Sequence, residues 1–163
     1  MKRISTLYLT RGALIAALYV ALTYASSLFG LSSGVIQFRL SEALCILPML
    51  MPEAVPGLAV GCLLANLLTG CAVWDIVFGT VATLIGAVGA RLLKSLPTKL
   101  LWLATLPTIL SNAIIVPFVL IYAYGVPDAY FYLMLTVGVG ELVCAGILGS
   151  MLYYSLRKSR FFH

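Results

Sequence analysis

"GVIQFRLSEALCILPMLMPEAVPG", residues 34–57, is apolar almost throughout, yet Arg39 and Glu42 stand near its start and Pro48, Pro52 and Pro56 crowd its second half. The reading of this stretch decides the fold. Proline removes a backbone donor and clashes with the preceding turn, so one long helix cannot run through it. Two helices are expected instead, at 36–51 and 54–70. We read them as two thin membrane spans; a pair that re-enters from one side is the alternative. Neither choice alters the orientation of the other helices.

Working outward, the 163-residue chain is 63% hydrophobic and only 9% charged, with a mean hydropathy of +1.11. A soluble domain of this size would carry far more polar surface. Several apolar runs approach or exceed the length of about 20 residues that crosses a bilayer as a helix. These runs are continuous and do not alternate, so they read as helices and not as barrel strands. The expected fold is an all-α integral membrane protein of one domain, with six transmembrane helices at 9–29, 36–51, 54–70, 74–93, 100–124 and 128–156. The N-terminal segment is basic at its start, but its apolar run is too long for a signal peptide and lacks a clear cleavage site. It reads as the first membrane helix.

Charge sets the orientation. Basic residues favour the cytoplasmic side of short loops. Lys2, Arg3 and Arg11 precede the first helix, Arg91, Lys94 and Lys99 join the fourth and fifth, and Arg157, Lys158 and Arg160 follow the sixth. Six spans bring all three clusters to one side, with both termini cytoplasmic in a plasma membrane. Of the ten basic residues, only Arg39 then falls at the outer end of a helix, so topology does not account for it.

The remaining polar residues form a descending set. Arg39, Glu42 and Asn66 lie in the outer part of the membrane, and Asn112 and Glu141 lie deeper. Glu141 is roughly 14 Å below the Tyr130–Tyr132 belt at the helical rise per residue. An ionised group at mid-membrane costs about 2.5–3.5 kcal/mol on insertion scales, so such residues usually serve function. Each also has a structural reading. Arg39 and Glu42, three residues apart, would pair with each other; Asn66 and Asn112 would bond between helices; Glu141 would be a protonated structural carboxyl. Glu53 reads as a loop charge and Asp128 as the N-cap of the last helix. Asp75, beside Trp74 at the outer end of the fourth helix, stands between site and structure. Phe38, Trp74, Tyr122, Tyr124, Tyr130, Phe131 and Tyr132 form an interfacial belt from which an aromatic would stack on a flat ligand.

Small residues mark a further face. Ala13, Ala17 and Ala21 recur every four residues on the first helix, a spacing that lets another helix approach closely. The neighbour is either a helix of this chain or a partner. Gly57, Gly61 and Ala65, and Gly79, Gly86, Gly89 and Ala90, are expected to pack internally. Cys45, Cys62, Cys71 and Cys144 have no metal or redox spacing and read as packing residues; His163 is given no role. The chain has no phosphate-binding loop, no catalytic triad and no metal-ligand set. No enzyme, no cofactor and no nucleic-acid partner are expected.

With these residues in view, "QFRLSEAL" (37–44), "GCLLANLLTG" (61–70), "DIVFGTVATLIGA" (75–87) and the glutamate of "GELV" (140–143) resemble the QueT family of queuosine-precursor transporters. These are the substrate-binding S components of energy-coupling-factor (ECF) importers. The resemblance runs from the first helix to the last. It implies an S-component bundle, partnered by a transmembrane coupling protein and two cytoplasmic ATPases that use the ATP. It also implies that Ala13, Ala17 and Ala21 dock on the coupling protein, and that import involves toppling of the whole subunit. The implied ligand is a 7-deazaguanine: 7-cyano-7-deazaguanine, 7-aminomethyl-7-deazaguanine or queuine. A carboxylate accepts both adjacent donors of a guanine-like edge, and Glu141 is the expected acceptor. Asn112 or Asn66 would serve the carbonyl and ring nitrogen, while Glu42, held by Arg39, would meet an aminomethyl group at the upper rim. The competing readings are an S component for thiamine, riboflavin or a pyrimidine precursor, a small proton-linked carrier or channel, and a purely structural membrane subunit.

Overall fold

A computed structural model describes residues 5–30 and 37–158. Ile36, Lys2, Arg3, Arg160 and His163, which entered the sequence reading, lie outside these residues. Among the described residues six helices form: α1 (Thr6–Leu28), α2 (Leu40–Met49), α3 (Ala54–Leu68), α4 (Val73–Leu92), α5 (Lys99–Tyr124) and α6 (Tyr130–Arg157). α1, α4, α5 and α6 are long and apolar enough to cross a membrane. α2 and α3 are shorter.

Local chemistry explains the boundaries. α1 begins three residues earlier than expected because the Ser5 hydroxyl caps it, accepting from the Tyr8 N–H at 3.3 Å. α2 is a 3₁₀ helix containing Pro48, which cannot donate the bond an α-helix would need there. At about 2 Å per residue its ten residues extend roughly 20 Å. α3 has 15 residues and a similar length of about 22 Å. Both fall short of a hydrocarbon core of about 30 Å. α3 ends where Gly70 turns back at φ +71°, a left-handed conformation that suits glycine.

α2 occupies the centre, packed on α1, α4 and α6, while α1, α3, α4, α5 and α6 follow one another around it. Its residues Leu44 to Met49 are all buried. Glycines bring α1 and α3 together: a Cβ on Gly57 would stand 2.7 Å from the Gly12 carbonyl oxygen, so only glycine fits at that crossing. Ala65 and Ala90 are likewise buried, as their internal placement required. The outer surface is apolar, with Leu14, Leu18, Leu67, Phe78, Leu110 and Phe118 exposed. Glu42, Asn66, Asn112 and Glu141 are turned inward.

Two expectations need correction. Glu53 is no free loop charge: it is 5% exposed, and Arg11 reaches it across the α1–α3 crossing at 3.3 Å. Asp128 does not cap α6, whose N-cap is Ala129 in an extended conformation with no side-chain cap.

Candidate functional site

A cavity of about 590 Å³ opens at one end of the bundle, within the range of roughly 300–1,000 Å³ usual for small-molecule sites. Its wall is assembled from every element that reaches this end. α1 supplies Thr23 and Ser27, and the segment before α2 supplies Gln37 and Arg39. The α3–α4 turn and the start of α4 contribute Cys71 and Asp75, and Tyr124 closes one side from α5. Val116, Val119 and Leu133 give the cavity an apolar flank. A flat ring bordered by polar edges suits such a wall.

Arg39 and Asp75 are joined through Asn66. An Arg39 Nη donates to the Asn66 side-chain oxygen, and Asn66 Nδ2 donates to the Asp75 carbonyl oxygen at 3.3 Å. Asn66 is fully buried behind them. The Asp75 carboxylate accepts from the Tyr124 hydroxyl at 3.0 Å, and that hydroxyl accepts from the Ala72 N–H at 3.1 Å. Thr23 donates to Ser41 at 2.8 Å, tying α1 to α2 at the cavity edge. Arg39 itself forms no ion pair, although Glu42 and Asp75 lie within its electrostatic reach. Among the described residues the only ion pair is Arg11–Glu53.

Arg39 and Glu42 do not pair with each other. Arg39 precedes α2 with an extended backbone (φ −99°, ψ 97°), so helical three-residue spacing does not apply to it. Glu42 turns away from the cavity and is held by two donors, the Tyr19 hydroxyl and, at 3.1 Å, the Cys45 thiol. Glu42 is therefore not in the cavity wall, and Arg39 does not hold its carboxylate.

Glu141 and Asn112 lie beneath the cavity. Leu133, Val137 and Glu141 follow one face of α6 at four-residue intervals, all buried, which sets Glu141 about 12 Å along the helix from the lining Leu133. Asn112 is one turn below the lining Val116. Glu141 faces the Asn112 side chain within hydrogen-bonding reach, with Glu42 and Arg39 within electrostatic reach. Its Oε2 and the Asn112 Nδ2 are both buried and have no other partner among the described residues. The acceptor and the donor thus have only each other. A π-helical stretch, Leu142–Leu148, begins just after Glu141, and such stretches recur at functional sites. Next to it, Gly140 lies so close to the entering segment that a Cβ there would meet the Gln37 carbonyl oxygen at 2.1 Å.

Trp74 is outside the cavity wall, 60% exposed and stacked on Phe78 at 5.8 Å. Of the belt aromatics, Tyr124 alone is among the lining residues. Sequence reading missed Tyr19, Thr23 and Ser27. A signal was present: Tyr19, Thr23 and Ser27 recur every four residues in register with Ile15; Tyr19 and Thr23 are buried, and Ser27 is exposed where α1 reaches the cavity. Ala13, Ala17 and Ala21 are exposed on the other side of the same helix. With Val60, Leu64 and Leu68 of α3 they form an apolar groove of about 700 Å³. The stripe therefore faces out of the bundle, while Gly12 and Ala16 make the internal contact with α3. Among the described residues, no three His, Cys, Asp or Glu side chains converge as a metal site would need.

Comparison with known proteins gives these features a context. The queuosine precursor transporter QueT of Lactococcus lactis subsp. cremoris (strain MG1363) is 35% identical over 85 residues, 52% of this chain and 50% of its own length. The chain thus spans about half the length of this curated relative in the match. No solved structure matches. The model of the QueT transporter family matches residues 9–158, from α1 to the end of α6. With its apolar exterior and four membrane-length helices, this is a membrane protein, and the chain belongs to the QueT transporter family.

Proposed function

We propose that the chain is the substrate-binding S component of an ECF-type importer and captures queuosine precursors, the 7-deazaguanines, from outside the cell. All six helices cross the plasma membrane in this reading, α2 and α3 as thin spans, and both termini are cytoplasmic. The positions of the basic clusters support that orientation. Two cytoplasmic ATPases supply the energy through a transmembrane coupling protein. The outward Ala13, Ala17 and Ala21 stripe, exposed beside an apolar groove, is the surface that the coupling protein covers. The likeness to the queuosine precursor transporter of Lactococcus lactis supports the substrate class.

The observation that carries the reading is the cavity itself, which sets a guanidinium and a carboxylate on one wall with an apolar flank. A deazaguanine has a donor edge, made of the ring N–H and exocyclic amine, and an acceptor edge headed by the 6-oxo group. Asp75 accepts from the donor edge, Arg39 donates to the acceptor edge, Asn66 fixes both, and Tyr124 borders the ring. Glu42 keeps α2 in register beneath the site. Trp74 belongs to the surrounding belt.

A second assignment rests on its own observation. Glu141 and the Asn112 amide, buried beside each other beneath the cavity, offer an acceptor and a donor, the complement of a lactam edge. A ring inserted past Val116 and Leu133 would take the place of their mutual contact. Calorimetric titration of the purified chain in detergent separates these assignments. The probes are 7-cyano-7-deazaguanine, 7-aminomethyl-7-deazaguanine, queuine, guanine, thiamine and riboflavin. Binding of a deazaguanine that Asp75→Asn abolishes and Glu141→Gln spares supports the cavity assignment, and the reverse supports the deeper one. Binding of thiamine or riboflavin alone removes the deazaguanine reading, and silence across the panel removes the binding function.

A further inference from the structure

We infer that the Arg39 guanidinium reads the substituent beside the 6-oxo group of the bound base, so that the site selects a deazaguanine bearing a neutral acceptor there over one bearing a cationic aminomethyl arm. This rests on the deazaguanine reading above and deepens it by naming which precursor is preferred.

Three observations carry the inference. Arg39 lines the cavity. Its orientation is fixed from behind, because Asn66 accepts from one Nη and is itself fully buried and bonded to the Asp75 backbone. Finally, no acid bonds it directly, although Asp75 and Glu42 lie within electrostatic reach. Each Asp and Glu side chain has another place: Glu42 bonds Tyr19 and Cys45, Glu53 pairs with Arg11, Asp75 accepts from Tyr124, Glu141 lies deeper beside Asn112, and Asp128 precedes α6 without an ion pair among the described residues. The guanidinium therefore offers the cavity N–H groups that have no protein acceptor among the described residues. A positive fork with vacant donors is satisfied by a pair of acceptors.

The base presents such a pair on one edge only. In guanine it is O6 and N7, which an arginine fork engages together. In a 7-deazaguanine the N7 acceptor is gone, and what replaces it depends on the substituent. A 7-cyano group puts a nitrile nitrogen on that edge, beside the 6-oxo oxygen. An unsubstituted ring leaves a C–H. A 7-aminomethyl group is an ammonium ion at neutral pH and meets Arg39 as a like charge, which disfavours the complex. The opposite docking would turn the substituent toward Asp75. That carboxylate already accepts from Tyr124, and the donor edge of the base requires it.

The test is a ranking by calorimetry on the full chain in detergent, with guanine, 7-deazaguanine, 7-cyano-7-deazaguanine and 7-aminomethyl-7-deazaguanine. The cyano compound and guanine are expected to bind about tenfold or more tightly than unsubstituted 7-deazaguanine, in line with the worth of a two-point arginine contact to a base. The aminomethyl compound ranks last. Arg39→Gln brings the cyano and aminomethyl affinities together. If the wild-type chain binds deazaguanines but prefers the aminomethyl form, or if Arg39→Gln leaves the spread unchanged, the inference fails while the substrate class stands. If none of the four binds, the substrate class fails with it. The wild-type ranking decides the matter even where the Arg39 variant does not fold.

Discussion

Replacing Tyr19 with Phe tests the bond that locks α1 to α2. Tyr19 is fully buried and Glu42 is 1% exposed, so neither finds water as a substitute partner. The Tyr19 hydroxyl donates to one oxygen of Glu42, and the other oxygen receives only the weak Cys45 thiol at 3.1 Å. Phenylalanine keeps the ring and opens no cavity, so the change isolates the hydrogen bond. A buried acceptor left unsatisfied costs about 1–3 kcal/mol. Taking about 2 kcal/mol, the unfolding midpoint should fall by roughly 4–8 °C for a chain of this length. The assay is thermal unfolding in detergent, followed by circular dichroism. Adding Glu42→Leu to Tyr19→Phe removes both partners, and the pair should be less destabilising than the sum of the single changes. Because Glu42 lies three residues from Arg39, Tyr19→Phe should also weaken ligand binding several-fold. A midpoint unchanged by Tyr19→Phe, or strict additivity in the double variant, would refute the reasoning.

Further perturbations probe the packing around this core. Gly140→Ala puts a Cβ at 2.1 Å from the Gln37 carbonyl oxygen, forcing the Gln37–Arg39 segment off α6; overpacking costs about 1–3 kcal/mol, and ligand affinity in calorimetry should fall more than stability does. Ala17→Leu fills the outward groove without touching the cavity, so ligand affinity should persist while copurification with the proposed coupling protein and ATPases is lost; recovery of the intact complex would remove the proposed docking surface. At the Arg11–Glu53 pair, whose side chains are 44% and 6% exposed, Arg11→Ala should destabilise more than Glu53→Gln, because it strands a buried carboxylate; equal melting midpoints for the two variants would contradict this.

Much of the architecture was legible because lipid imposes a simple rule. Long apolar runs had to become helices, and α1, α4, α5 and α6 did, with ends close to those expected. α2 was harder. Its residues are buried on nearly every side, so hydrophobic periodicity carries no information about helix type, and Pro48 alone hinted at a departure from the α form. Polar residues were easy to find against an apolar background. Their partners were not. Arg39 and Glu42 looked like a local pair, but the helix starts one residue after Arg39, so the two point to different neighbours. Glu53 finds Arg11 at a sequence distance of 42 residues, a contact that only the α1–α3 crossing creates. The outward face of the alanine stripe was also open in sequence. It was decided by Gly57 and Gly61, which draw α3 onto Gly12 and Ala16 and leave Ala13, Ala17 and Ala21 on the far side.

A membrane interior separates scaffold from site more sharply than a soluble core does. An unsatisfied polar group has no solvent to fall back on there, and carrying one costs several kcal/mol. Glu42, Asn66, Thr23 and Ser26 are each bonded within the protein. They would be equally content with the cavity empty or full, so their role is to fix the elements around it. Among the described residues, the groups left with capacity for a ligand lie close together: the remaining Arg39 donors at the cavity wall, and Glu141 and Asn112, which face each other, below it. Thr108, one turn away along α5, is the remaining buried side chain without a hydrogen-bond partner among the described residues, and it is pressed against Gly86 where no ligand fits. Random mispacking would scatter such groups through the bundle. Their alignment on α5, α6 and the segment entering α2 is what a ligand presenting both donors and acceptors would complete.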